Sequence, residues 1–340
     1  MPDIAERLQR LLSQQCPGAH VEITGCTPVT GGYSHTTTRF TARVDEDEFS
    51  LVSRSEFPTG RTLTLSNRDV EWAVLRHLTE TGAPFIAPAR WYDHDGSIMG
   101  TKTVVSDFVP AKNLAASWPA ADNAQRARLT DRVVDLAVSV SQVDTQPLPD
   151  IVARPSTWDA YVDDLIDEWR RTETRMDEAE PFLRYVAAWL ELNRPEPAPF
   201  VLVHGDFQAP NMLVTDDHLV AVDWELPHIG DIREDLAWLQ MLDGMSAEPI
   251  YRGNEDYILG RFCELTGLGQ DIINQRSIAY FSILSIARTA SMVHDQMTAM
   301  ARGDNTSINV AYSSFVLTTQ HAQWYKMIGE LSVATDEVIQ

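Results

Sequence analysis

The chain has 340 residues, of which 44% are hydrophobic, and a formal net charge of −22 at pH 7. This length and apolar content are sufficient for two packed domains and exclude a disordered or fibrous protein. The strong negative charge opposes binding to the phosphates of nucleic acid, so we expect no nucleic acid partner.

No segment has the length of a membrane span. The densest apolar stretch, residues 277–287, is about half as long as a bilayer span requires, and arginines bound it on both sides. The first residues lack the basic start and the apolar run of a secretory signal. We therefore expect a cytoplasmic protein without membrane contact, in which the three widely spaced cysteines are reduced thiols.

The first third of the chain predicts a small α+β unit. Apolar residues at helical spacing predict a short helix over residues 1–16. β-Branched and aromatic residues predict consecutive antiparallel strands over residues 21–54. Residues 66–78 return to the helical period, and residues 91–109 again indicate strands.

The remainder of the chain has mostly helical patterns and carries most of the charge. Its net charge is −18, against −4 for residues 1–109. Apolar residues recur at helical spacing in residues 129–140 and 158–169, and further helices are expected from residue 231 onward. This acidity fits either a cationic substrate or a surface that is charged for solubility.

One of these helices combines a capping signal with an acidic face. Ser156-x-x-Asp159 at its start resembles a capping box. The side away from its apolar residues carries four acids, which fit a solvated helix face better than a substrate-binding one. These acids are Asp159, Asp163, Asp167 and Glu168.

A compact β-rich stretch within the helical part carries the strongest chemical signal. Three short apolar strands are expected between residues 200 and 222, with a hairpin that returns the chain towards its own loop. The loop after the first strand has the sequence HGDFQAPN, residues 204–211. Asp206 precedes Asn211 by five residues and Asp223 by seventeen, which matches the pattern of phosphoryl-transfer enzymes.

Each of these three residue types suits a step of phosphoryl transfer. Asp206 can accept the proton of an attacking hydroxyl. The amide of Asn211 and the carboxylate of Asp223 can hold Mg²⁺ against the phosphates of a nucleotide. An Asp after a strand or an Asn in a loop is, taken singly, an ordinary turn residue. Their combination at this spacing favours the catalytic interpretation.

These motifs together resemble those of the aminoglycoside phosphotransferase and choline kinase-like family. Three further segments support the resemblance: Asp223-Trp224-Glu225, Ile229-Gly230-Asp231 and Asp235-Leu236-Ala237. It covers about residues 20–300 and is most specific over residues 201–239. It implies that Asp235 braces the catalytic loop through backbone hydrogen bonds and that His204 is structural. For Asp231, the alternative role is the N-cap of the following helix.

The resemblance implies both a fold and a reaction. The implied fold is α+β, a two-lobed protein kinase-like fold with a small antiparallel-sheet N-lobe, residues 1–109, and a larger, mostly helical C-lobe, residues 110–340. Gly205 stands where protein kinases have Arg, which implies a small-molecule kinase. Such an enzyme transfers the γ-phosphate of ATP or GTP to a hydroxyl of a small molecule, with Mg²⁺ as cofactor and Asp206 as catalytic base.

The resemblance also implies nucleotide contacts at two places in the N-lobe. Gly31, Gly32 and Ser34 fall between two strands, where glycines let backbone N–H groups approach phosphates, although a plain hairpin turn is the alternative. Backbone groups near Asp107 and Val109 fit the connection between lobes and would pair with the edge of a nucleobase. The alternative there is an edge strand that ends at a proline.

A cation and its acidic partner complete the implied nucleotide site. Arg54 ends the third predicted strand, and Glu71 lies on the next helix. Protein kinases usually have Lys at this place, and the planar fork of Arg is not an equivalent replacement. Arg61 and Lys102 are therefore alternatives for the role.

Two other classes of function fit part of the sequence. A catalytically silent nucleotide-binding module would keep the same motifs. A metal-dependent phosphohydrolase would leave the glycines and Glu71 unexplained. Its ligands would be His204, Asp206, His218, Asp223 and His228.

Overall fold

A computed structural model shows a five-stranded antiparallel sheet followed by a mostly helical lobe, which is the expected α+β arrangement. The structure describes residues 3–29, 35–56, 66–175, 181–244, 246–308, 310–311, 319 and 321–331.

The described part of the N-lobe contains two helices and five strands, with strand order β1-β2-β3-β5-β4. Its elements are α1 (Ile4–Gln15), β1 (Val21–Val29), β2 (His35–Val44), β3 (Asp47–Glu56), α2 (Arg68–Glu80), β4 (Ala89–Asp93) and β5 (Thr103–Asp107). Side-chain caps begin both helices. The carboxylate of Asp3 accepts from the N–H of Ile4 at 2.7 Å, and the amide oxygen of Asn67 accepts from the N–H of Asp69 at 3.0 Å.

The two faces of this sheet belong to different hydrophobic clusters because successive strand residues point to opposite sides. Val105 packs in a cluster with the buried leucines of α1, including Leu8 and Leu12. Val104, which precedes Val105 in the strand, packs with Val74 of α2 in a cluster that continues into the helical lobe. The helix α2 is therefore anchored to the second lobe as well as to the sheet.

Among its described residues, the C-lobe has seven α-helices and five short strands with the bounds given next, and residues 321–331 are also helical. Its elements are β6 (Lys112–Asn113), α3 (Leu114–Ser117), α4 (Asn123–Ser141), α5 (Trp158–Arg175), α6 (Pro181–Leu192), β7 (Phe200–Val203), β8 (Met212–Val214), β9 (Leu219–Ala221), β10 (His228–Asp231), α7 (Glu234–Asp243), α8 (Glu255–Thr266) and α9 (Gln275–Arg302). None of these helices combines the length and the apolar character that crossing a bilayer requires.

The short strands hold the catalytic segment between the helices. β8 and β9 form the expected hairpin, and β7 pairs antiparallel with β10. The strand β6, which the sequence pattern did not predict, pairs with β8 and ties the start of the C-lobe to this hairpin. A two-residue strand is too short to produce a recognisable alternation of apolar and polar residues.

Two of the expected helix starts are wrong. The start of α5 is capped by Thr157, one residue after Ser156: its hydroxyl accepts from the N–H of Ala160 at 3.2 Å. Asp231 is the last residue of β10 and is not an N-cap, since α7 begins at Glu234. Its buried carboxylate accepts from the guanidinium of Arg233, with both N···O distances 2.7 Å.

Candidate active site

The catalytic loop follows β7 and is held from behind by α7. The carboxylate of Asp235 accepts from the backbone N–H of His204 at 2.9 Å and of Gly205 at 3.1 Å. This is the bracing contact that the resemblance implied. The imidazole Nε2 of His204 lies 3.1 Å from the carbonyl oxygen of Val222, so His204 ties the loop to the end of the hairpin.

Gly205 fits the loop because no side chain could replace its hydrogen. Its φ is +81°, in the left-handed region that favours glycine. A Cβ at this position would lie 2.1 Å from the carbonyl oxygen of Leu226. The same close approach excludes the Arg that protein kinases have here.

Asp206 is buried and accepts hydrogen bonds from three side chains. Asn211 Nδ2 and Gln208 Nε2 each donate at 2.6 Å, and Trp238 Nε1 donates at 2.9 Å. Burial, together with the nearby charge of Asp223, raises the pKa of Asp206 to about 6, while the three donors oppose this rise. Asp206 is thus ionised at neutral pH with a pKa close to it, which suits a general base.

The two expected metal ligands lie on either side of the hairpin end. The amide nitrogen of Asn211 is used by Asp206, which leaves its amide oxygen as the group that could hold a cation. The N–H of Val222 donates to the backbone oxygen of Asn211 at 2.9 Å and so keeps Asp223 beside the loop. Asp223 has a φ of +67°, an uncommon conformation for a residue other than glycine, of a kind that clusters at functional sites.

Arg54 joins the expected nucleotide-binding pair to the expected metal ligand. Its Nη1 donates to Glu71 Oε1 at 3.0 Å, and its Nη2 contacts the carboxylate of Asp223. Glu71 is fully buried and is also paired with Arg68. Lys102, one of the alternatives to Arg54, is paired with Asp69 at 2.5 Å and not with Glu71 or Asp223. Arg61 lies outside the described residues.

Two further residues meet at this junction that the sequence did not assign. The ligand atoms of His35, Asp223 and Glu225 all lie within 4.8 Å of one another. Burial and the charge of Asp223 raise the pKa of Glu225 to about 8, and burial lowers the pKa of His35. The sequence signal for Glu225 is its place two residues after Asp223, whereas only the fold reveals His35.

The five ligands considered for a phosphohydrolase do not form a cluster in the described part of the chain. The imidazole Nε2 of His218 lies 2.9 Å from the carbonyl oxygen of Pro84, on an exposed turn. His228 is held by Glu234, with Nε2 3.0 Å from the carboxylate. The imidazoles of both residues are thus used by other partners.

At the connection between the lobes, internal hydrogen bonds restrict which backbone groups a nucleobase could meet. The N–H of Asp107 donates to the carbonyl oxygen of Pro88, and the carbonyl oxygen of Val109 accepts from the N–H of Ala111, both at 2.9 Å. The carbonyl of Asp107 and the N–H of Val109 could still form hydrogen bonds to a nucleobase. Gly31, Gly32 and Ser34 lie outside the described residues.

Three of the four acids on the acidic face of α5 lie near arginines. Arg194 pairs with Asp163 and lies 4.0 Å from Asp159, and Arg170 lies 3.7 Å from Asp167. These ion pairs support the interpretation of this face as an ordinary solvated surface.

The model of the phosphotransferase enzyme family matches residues 25–261. The chain belongs to this family. It is 24% identical over 214 residues to mouse acyl-CoA dehydrogenase family member 10, a match that covers 61% of this chain and 20% of that protein. The chain thus spans about a fifth of the length of this curated relative.

Solved structures share the fold at low sequence identity. A putative aminoglycoside phosphotransferase from Ralstonia eutropha JMP134 superposes with a TM-score of 0.67 at 17% identity, covering 96% of this chain and 98% of that one. A choline/ethanolamine kinase family protein from Mesorhizobium loti gives 0.60 at 14% identity, with 95% and 97% covered. A thermostable mutant of aminoglycoside phosphotransferase APH(4)-Ia, in a ternary complex with AMP-PNP and hygromycin B, gives 0.64 at 13% identity, with 95% and 98% covered. The expected kinase-like fold is confirmed.

Proposed function

We propose that this phosphotransferase moves the γ-phosphoryl group of ATP or GTP to a hydroxyl of a small molecule. The observation that carries the proposal is the set of contacts between the buried base Asp206, the amide of Asn211, the hairpin carboxylate Asp223 and the cation Arg54. These four side chains supply the groups that phosphoryl transfer requires: a base, oxygen ligands for a cation, and a positive charge for the phosphates.

The donor set fits Mg²⁺. The amide oxygen of Asn211 and the carboxylate of Asp223 are hard oxygen ligands, which Mg²⁺ prefers, and Asp223 is about a third exposed towards solvent. When bound there, the ion would neutralise charge on the nucleotide phosphates.

The protein side of the reaction rests on positioning. Asp206, fixed by its three donors, accepts the proton of the acceptor hydroxyl as the oxygen bonds to the γ-phosphorus. The bond between this phosphorus and the β–γ bridging oxygen breaks, and the nucleoside diphosphate leaves. Arg54, held by Glu71, turns a guanidinium N–H towards the phosphates. The backbone groups of Asp107 and Val109 would orient the nucleobase. Gly31, Gly32 and Ser34 would cover the phosphates.

The decisive experiment compares Asp206→Asn with the wild type in a nucleotide-consumption screen over pooled hydroxyl compounds, with ATP and GTP as donors. The amide keeps the size of the side chain but cannot accept the proton, so we expect kcat to fall by about 10²- to 10⁴-fold with nearly unchanged nucleotide affinity. Asp217→Asn, in the exposed turn between β8 and β9, is the matched control. Normal turnover by Asp206→Asn would refute the assignment.

A further inference from the structure

A groove of about 300 Å³ runs beside the catalytic loop, outside the residues assigned so far. One wall comes from the turn after α3, one from the catalytic loop, and one from α7. Its apolar lining includes Trp118, Pro119, Ala209, Pro210, Leu239 and Leu242.

The groove is continuous with the catalytic base through one side chain. Gln208 lines the groove, and its Nε2 donates to the carboxylate of Asp206 at 2.6 Å. A molecule that occupies the groove therefore lies one side chain away from the group that would deprotonate an acceptor hydroxyl.

The charged side chains in the described lining of the groove already have partners, although the lobe around it is strongly acidic. Its described lining has two carboxylates and no Lys or Arg. Asp243 accepts from the N–H of Ile250 at 2.7 Å and from that of Tyr251, and Glu248 is paired with Arg126 at 2.7 Å. A cation placed here would have to compete for carboxylates that already have partners, and its desolvation would be uncompensated.

We propose that the groove holds the apolar, uncharged body of the acceptor, so that the phosphorylated hydroxyl belongs to a neutral and largely apolar alcohol. The inference rests on the proposed phosphoryl transfer and adds its substrate class. It assigns the acidity of the lobe to its surface and not to recognition of a polycation.

The first test compares acceptor classes with the wild-type enzyme. The neutral class is a series of ω-hydroxyalkyl methyl ethers of increasing chain length, and the cationic class is hygromycin B and choline. We expect kcat/KM to rise about fourfold for each added methylene in the neutral series until the groove is filled, because each buried CH₂ favours binding by that factor. Hygromycin B and choline should be poorer acceptors than the longer ethers.

The second test narrows the groove and uses a neighbouring residue as its control. Ala115 lines the groove, whereas Ala116, the next residue of the same helix and also exposed, does not. We expect Ala115→Trp to raise the KM of the best neutral acceptor at least tenfold relative to Ala116→Trp, at saturating nucleotide.

The outcomes separate this inference from the proposed function. Preferential phosphorylation of hygromycin B or choline, or equal KM values for Ala115→Trp and Ala116→Trp, would overturn the inference while phosphoryl transfer stands. If no alcohol of either class receives phosphate although the nucleotide binds, the proposed function fails and the inference with it.

Discussion

The guanidinium of Arg54 lies between two carboxylates, donating to Glu71 at 3.0 Å and contacting Asp223 from the other lobe. The expected phosphate-binding cation and the expected metal ligand are therefore in contact with each other. Their opposite charges compensate one another in a largely desolvated place. We expect a nucleotide with Mg²⁺ to replace this contact, so that Arg54 keeps Glu71 and exchanges Asp223 for a phosphate.

Arg54→Ala should weaken nucleotide binding by about 10- to 100-fold, since it removes a charge-assisted hydrogen bond to a phosphate. The fold should persist because Glu71 retains its pairing with Arg68. Isothermal titration calorimetry with ATP and Mg²⁺ measures the effect. Arg43→Ala, which removes an exposed arginine from the same sheet, is the control. If Arg54→Ala left the Kd for ATP unchanged, another cation would have to bind the phosphates.

Asp223→Ala should abolish the dependence of nucleotide affinity on Mg²⁺. The wild-type protein should bind ATP at least about tenfold more tightly with Mg²⁺ than in EDTA, because the ion joins the carboxylate to the phosphates. In the variant the two Kd values should coincide. Asp216→Ala, in the exposed turn of the same hairpin, should behave as the wild type. Persistent Mg²⁺ dependence in Asp223→Ala would exclude it as a ligand.

The rate should depend on pH through Asp206. The base must be ionised to accept a proton, and its pKa is raised to about 6, so kcat/KM should be constant above this value and fall about tenfold per unit as the pH drops below it. Trp238→Phe removes a donor that holds the pKa of Asp206 down, so the midpoint should move to higher pH. Trp324→Phe, which removes an indole hydrogen bond away from the site, should leave the midpoint in place. A pH profile without an acidic limb near 6 would contradict this role.

Gly205→Ala should destabilise the fold by about 2 kcal/mol or more, because the left-handed backbone and the carbonyl oxygen of Leu226 both oppose a Cβ. Gly253→Ala is a matched control: its φ is +92°, yet no atom lies within 4 Å of the added Cβ. It should cost about 1 kcal/mol from the backbone alone. Urea unfolding measures the free energy of unfolding of both variants. Equal losses of stability would mean that the loop at residue 205 moves to accommodate the added methyl group.

The spacing of residues along the chain predicts the candidate catalytic loop. Asp206, Asn211 and Asp223 fall within one short hairpin region, so their spacing along the chain nearly fixes their spacing in space. The order of the major helices and strands was also predictable, because apolar periodicity depends on local geometry alone. Periodicity does not identify the capping atom, which explains why the start of α5 was placed one residue early.

Only the tertiary structure decided which distant groups complete the site. Arg54 and Asp223 are 169 residues apart in sequence, and Trp238 reaches Asp206 from a different helix. The approach of His35 to Glu225 likewise joins one lobe to the other. The packing of the two lobes creates the contacts of Arg54 and His35, and packing within the C-lobe creates the contact of Trp238 and the groove lined by Trp118. Local sequence patterns do not predict these contacts, because they depend on how whole faces of the sheet and helices bury their apolar surface.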